Sequence, residues 1–247
     1  LVDDLKAFRV RKVFTAGRLI AEDGRVLIPL DDAAAGAPSH SIHLKPLAED
    51  ALSLPVRTGK ARVIGIEPAS LVTKSLVREV KTDDAGCFQS ALNPGLTKIA
   101  VIERHKRTGK LGIGILEGYG LTGGAIATTI SHDSHNIVVA GDNDPDMLLA
   151  VRELADMGGG IVSVHGGAIR RLPLPIAGLM TSADPQEVNA VLHDMLVAAR
   201  AELGIPEDVE PFMTLSFMAL PVIPELKLTA RGLFNVNTFS FVGVEAD

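Results

Sequence analysis

Apolar positions along this chain fall into short runs divided by glycine- and aspartate-rich turns, and a helical stripe is clear at only two places. Residues 8–14 alternate in part, Ala16-Gly17 turns, residues 18–21 are extended, Glu22-Asp23-Gly24 turns again, and residues 25–30 continue as a strand. Two such hairpins bury no core alone, so they are expected to dock on a partner sheet and to be poorly held without one. Residues 31–39, rich in Ala, Asp, Gly and Pro, open a linker expected to run to residue 54. A new unit begins at about Pro55. Strands are expected at 61–66, 71–81, 98–104, 111–116, 125–130, 137–140, 161–164 and 168–172. Arg107-Thr108-Gly109-Lys110 and His165-Gly166-Gly167 mark hairpin turns.

The two helices carry start and stop signals. Asp144 caps the first, Pro145 takes its first position, Met147, Val151 and Leu154 form its stripe, and Gly158-Gly159-Gly160 stops it. Asp184 caps the second, with Pro185 next and Glu187 at capping-box spacing. Val188, Val191, Leu192, Met195, Leu196, Ala199 and Leu203 share one face, and Gly204 ends it. Residues 212–220 are apolar and fit either strand or helix. The expected class is α+β or mixed α/β, a β-rich layered domain with helices packed on sheet. Strand order is not readable from the pattern.

With 47% hydrophobic and only 4% aromatic residues, the core must be built of Val, Ile, Leu, Ala and Met. The net charge of -6 argues against general nucleic-acid binding, which rests on a basic footprint. Cys87 is the only cysteine, so no intrachain disulfide forms, which fits a reducing, cytoplasmic setting. No apolar run reaches membrane-spanning length, so no membrane partner is expected. The chain opens on Leu1-Val2-Asp3-Asp4 without an initiator Met or a secretory signal, which suggests a fragment or a processed product.

The densest polar cluster is His132-Asp133-Ser134-His135-Asn136, set between two apolar strands. Two imidazoles, a carboxylate, a hydroxyl and an amide suit general acid-base work and hydrogen bonding to a heterocycle. A polar turn bonded to its own backbone is the competing account. Their three-residue spacing would suit metal ligation only on a helix face. His40 and His43 share that spacing but have no third ligand nearby. The loop from Gly118 to Gly124 lacks the ending of a phosphate-binding loop, and its Gly120 either packs tightly or lets a ligand approach. Glu103, in Glu103-Arg104-His105 at a strand end, either reaches a pocket or belongs to an edge charge cluster.

Several stretches together resemble the C-terminal region of bacterial adenine deaminases of the amidohydrolase superfamily. They are Val101-Ile102-Glu103-Arg104-His105, Gly120-Leu121 through Gly124-Ala125-Ile126-Ala127, His132 to Asn136, Leu174-Pro175-Ile176-Ala177-Gly178-Leu179-Met180, Pro211-Phe212-Met213-Thr214-Leu215-Ser216-Phe217 and the run from Leu220 to Leu228. The opening segment is similar to the returning strands of the small amidohydrolase β-sandwich, so residues 1–30 would be its remnant and residues 55–247 the family's C-terminal domain. The resemblance implies hydrolysis of adenine to hypoxanthine and ammonia, with Mn or Fe in a metal-dependent barrel. This chain has no His-x-His pair, and a (β/α)₈ barrel alone takes about 200 residues or more. The barrel is therefore expected ahead of Leu1, no metal ligand is expected here, and the isolated chain should be inactive. Expected partners are adenine, the chain's own barrel and sandwich, and further copies in a homo-oligomer. His132, Asp133, Ser134 and His135 are the catalytic candidates, and Asn136, Gly120 and Glu103 the substrate-binding ones. A non-catalytic assembly or small-ligand-binding domain is the alternative.

Overall fold

The computed structural model describes residues 1–29, 36 and 38–246, so Leu30 and most of the expected linker start lie outside the described residues. Two compact units form, Leu1–Gly36 and Ala37–Asp247. The first is a three-stranded antiparallel sheet, β1 (Lys12–Thr15), β2 (Arg18–Glu22) and β3 (Arg25–Val26), in that order. Ala16-Gly17 and Asp23-Gly24 turn with positive φ at both residues, the hand that suits the strand twist. Leu5, Phe8, Phe14 and Val26 remain exposed, and none of the buried hydrophobic clusters draws a residue from this unit.

The second unit is built on one eight-stranded sheet. Its strands are β4 (Lys60–Ile66), β5 (Thr73–Glu79), β6 (Leu96–Ile102), β7 (Leu111–Glu117), β8 (Gly124–Thr128), β9 (Ile137–Gly141), β10 (Gly160–His165) and β11 (Ala168–Pro173). The order is β11-β10-β8-β9-β6-β7-β4-β5, antiparallel except where β4 runs parallel to β7. Its central strands β8 and β9 are buried at every position because both faces are covered. Ile99, Val101, Ile126, Val138 and Ala140 face one core, and Ala100, Ile102, Ala125, Ala127 and Val139 face the other, as the two-residue period of a strand requires.

Helix α1 (Asp144–Asp156) covers the second face with Met147, Leu148, Val151 and Leu154. Helices α2 (Pro185–Ala201) and α3 (Pro211–Phe217) cover the first, together with a small antiparallel sheet of β12 (Leu226–Thr229), β13 (Gly232–Asn235) and β14 (Ser240–Phe241). The result is the β-rich, layered α+β architecture expected. Three local readings change. Asn143 caps α1 in place of Asp144, because its side chain accepts from Asp146 N at 2.9 Å while the Asp144 carboxylate pairs with buried Lys98. The ambiguous 212–220 run is helical from Pro211, since Glu210 caps Met213 N and proline suits a first turn. The segment 38–54 has no strand or helix, yet it sets Leu52 and Leu54 into the cores and His43 N on Arg104 O at 2.7 Å.

Register sorts the loops to two ends of the sheet. Ile102 pairs with Leu111 and with Ile137, and Thr128 with Val138 and Ile161. The 103–110, 129–136, 157–159 and 174–180 connections therefore meet at one end. The 118–123, 142–143 and 166–167 connections meet at the other.

Candidate functional site

The 131–136 loop leaves β8 and enters β9 at the first of these ends, and three neighbours hold it. Arg104, just past β6, donates from Nε to His135 O, and its backbone N reaches Asn136 Oδ1 at 3.4 Å. His105 Nε2 donates to Ser134 O at 2.8 Å. From across the fold, His132 N donates to Ser216 O of α3 at 3.1 Å. Within the loop, His135 N donates to Ser131 O at 2.6 Å, and His135 takes φ +48°, a left-handed conformation that histidine adopts more readily than most residues. The loop is thus pinned at both ends and in its middle.

What the pinning presents is an imidazole beside an apolar pocket. The His132 ring lies 4.6 Å from the Phe217 ring, centroid to centroid, and 30° from parallel. The two help line a pocket of about 460 Å³ with Ile130, Leu192, Phe212 and Ser216. Glu210 is the pocket's carboxylate, though it is engaged in capping α3. Asp133 is 86% exposed at its side chain and sits 3.8 Å from His132 Nδ1.

His135 lies behind His132, with ring centroids 6.0 Å apart. Burial lowers its pKa, Arg104 and the neighbouring imidazoles lower it further, and Asp133 opposes them. At neutral pH His135 is therefore an uncharged ring with one donor and one acceptor nitrogen. Its Nδ1 and the Ser131 Oγ beside it are both buried without a hydrogen-bond partner. Unanswered polar atoms of this kind are uncommon in native structures. The loop can accept and donate hydrogen bonds at a pocket edge, and burial favours the uncharged form of its His135 ring.

The sequence-based candidates divide three ways. His132, Asp133, Ser134, His135 and Asn136 are together, with Asn136 buried and Ser134 held through its carbonyl. Glu103 stands on the same end, but its carboxylate accepts four bonds from its own turn, from His105 N, Lys106 N, Thr108 N and Thr108 Oγ1. Burial works against the charged form, yet these donors prevail and hold the Glu103 carboxyl at about 2. Gly120 is elsewhere. It precedes β8, whose five residues at about 3.3 Å each put some 16 Å between its loop and the 131–136 loop. Gly120 takes φ +76°, and a Cβ there would stand 2.5 Å from Pro206 Cδ.

Phe217, Phe212, Ser216 and Leu192 were not among the candidates, since only the fold brings α2 and α3 to the loop. Glu210-Pro211 ahead of an apolar run was the available signal for α3. No group of three or more His, Cys, Asp or Glu that could hold a metal ion occurs among the described residues, so His132 and His135 find no third ligand. No helix of the described residues is long and apolar enough to cross a membrane.

Residues 70–240 match the family described as adenine deaminase C-terminal domain. The chain is 58% identical over 245 residues to an adenine deaminase of Nitratidesulfovibrio vulgaris, covering 99% of this chain and 42% of that protein. It is 45% identical over 246 residues to adenine deaminase 2 of Carboxydothermus hydrogenoformans, covering 98% of this chain and 42% of that protein. It is 43% identical over 250 residues to the adenine deaminase of Geobacillus kaustophilus, with 99% and 43% covered. The chain thus spans about two-fifths of the length of these curated relatives.

Proposed function

We propose, from the premise that this chain belongs to the adenine deaminase C-terminal domain family, that it is the C-terminal part of an enzyme hydrolysing adenine to hypoxanthine and ammonia. In this reading the 131–136 loop meets the purine. The observation that carries it is the His132 ring in the lining of an apolar pocket, in a loop whose His135 Nδ1 and Ser131 Oγ are buried without a hydrogen-bond partner among the described residues. An apolar slot favours a flat heterocycle, and a few fixed polar groups set its orientation. Adenine's ring nitrogens accept and its amine donates, so His132, Asp133, Ser134 and the Asn136 amide can answer both kinds of group. The uncharged His135 ring can offer one donor and one acceptor nitrogen to the purine.

The reading also calls for manganese or iron. The described residues offer no group of three or more ligands for a metal, so in this reading the ion would be held by the rest of the enzyme. Residues 1–30 would complete that portion's β-sandwich, which accounts for their exposed Phe8 and Phe14. A cytoplasmic homo-oligomer is the setting proposed. A second reading, an assembly domain without a catalytic part, is favoured by Met213, which is more than half exposed and lines the same pocket.

Substitution of His132→Ala, Asp133→Ala and His135→Ala in the full-length enzyme decides between them. Loss of a positioning hydrogen bond leaves a partner unpaired at about 1–3 kcal/mol, or roughly 5- to 150-fold in kcat/KM. We expect losses of that size at His132 and His135, with metal content and Tm unchanged. Wild-type kcat/KM in all three would leave the assembly reading standing. Loss of metal would make the loop a ligand donor.

A further inference from the structure

Arg104 is 1% exposed, and among the described residues its guanidinium makes no ion pair with a carboxylate. A buried cation is costly unless its donors are answered. Here they are answered by oxygens from three separate segments. Nε donates to His135 O, Nη1 to Ser41 O at 3.1 Å and Ser41 Oγ at 3.0 Å, and Nη2 to Ala177 O at 3.0 Å. The surroundings are shaped to admit the planar fork. A Cβ on Gly178 would stand 2.9 Å from Nη1 and 3.1 Å from Cζ, so a residue with a side chain there would press on the guanidinium. Gly178 also takes φ +72°, the left-handed region that glycine occupies without strain.

The other two segments lie outside the sheet, although Leu174 N donates to Gly159 O at 2.9 Å, Thr129 Oγ1 to Gly178 O at 2.5 Å and Arg107 N to His43 O at 3.2 Å. Residues 38–43 carry no strand or helix, the 174–180 turn is closed by Ile176 N on Met180 O at 3.0 Å, and Ala177 N joins the two segments through Pro38 O at 2.7 Å. The loop, the 38–43 segment and the 174–180 turn therefore converge on one side chain. Of the five N–H groups that arginine carries, the fork engages donors in three directions at once, which a lysine ammonium on a flexible stem does not reproduce.

We propose that Arg104 is a positioning residue of the purine site, a buried cationic fork that sets the 131–136 loop and thereby aims His132 and His135. The inference rests on the reading that this loop meets the purine. Arg104 itself touches no reacting atom. Its positive charge also keeps a proton off the neighbouring His135 ring, in the same direction as burial. A misplacement of about 1 Å at such a site can lower turnover by about a hundredfold.

The test is Arg104→Lys in the full-length enzyme, with Ser41→Ala as the milder variant that removes one oxygen from the fork. Two readouts are taken. The first is diethylpyrocarbonate modification of each histidine, followed by peptide mass, with exposed His193 on α2 as the internal reference. The second is kcat and KM for adenine across pH. We expect His135 to be modified several-fold faster relative to His193 in Arg104→Lys, and less so in Ser41→Ala. We expect kcat to fall at least about tenfold, and the acid limb of the pH profile to move if the neutral His135 ring is lost. Equal acceleration at every histidine would mean global loosening and would overturn a positioning role, as would an unchanged His135 rate. If the modification result holds but kcat and the pH profile stay at wild type, Arg104 sets the loop and the purine-site role is overturned. The alanine series in the loop then tells whether the purine reading has failed too.

Discussion

The two ends of the eight-stranded sheet close in different ways. At the 118–124 end, polar groups are answered locally. Asp142 accepts from the backbone N of both Gly123 and Gly124, and Gly123 O accepts from His165 Nδ1 at 2.7 Å. At the 131–136 end, a buried guanidinium stands without a counter-charge, and His135 Nδ1 and Ser131 Oγ stand without partners. Glycine packing finishes much of the first end, where Gly120, Leu121, Thr122 and Asp142 still line a pocket of about 260 Å³. The second end keeps donors, acceptors and a depressed imidazole in excess of what folding uses. Such a surplus marks the end where chemistry is to be expected.

The largest effect that would sharpen this contrast is at Gly124. A Cβ there would overlap the Val164 carbonyl oxygen and come within 2.8 Å of Leu203 Cδ2. Overpacking between paired strands costs about 1–3 kcal/mol and more where backbone must move. Gly124→Ala should lower Tm by several degrees while the remaining folded enzyme keeps its kcat/KM, and Gly120→Ala should behave alike through Pro206 and its φ. A raised KM in Gly120→Ala at unchanged Tm would break the contrast and make that loop a ligand contact.

The smallest effect is at Glu103, whose charged form is favoured by its own turn. The folded-state pKa lies below the usual value, so the stabilisation is present above about 4.5 and is lost as pH falls toward about 2. Glu103→Gln should lower stability slightly at pH 7, by under about 1 kcal/mol for a partly solvated loop, read as a small drop in Tm, and the gap to wild type should close in acid. KM for adenine should not change, because the carboxylate's acceptor sites are already taken. A clear rise in KM would return Glu103 to the purine.

Much of this was legible in the chain because its signals are local. The hairpin at 107–110, the hairpin at 165–167 and the Pro185 helix are set by residues a few positions apart, and all three form where expected. The five-residue polar cluster between two apolar strands likewise stood out by contrast with its flanks. What was not legible depends on distance along the chain. Arg104 acts through Ser41 and Ala177, 63 and 73 positions away, and His132 meets Phe217 only because α3 folds back over β8 and β9. Gly120 and His132 are 12 positions apart and both were placed at the purine, but one strand of intervening length puts them at opposite ends. The small sheet of β12, β13 and β14 escaped notice because its strands are too short for a period-two pattern to register.

Photolabelling of the full-length enzyme with 8-azidoadenine, followed by peptide mapping, tests most directly whether the 131–136 end meets the purine. The expected result is an adduct in the peptide carrying His132 to Asn136 or in that carrying Phe217, suppressed by excess adenine. Adenine-protected adducts confined to the rest of the protein, or found at Gly118 to Gly124 with none at 131–136, would contradict it.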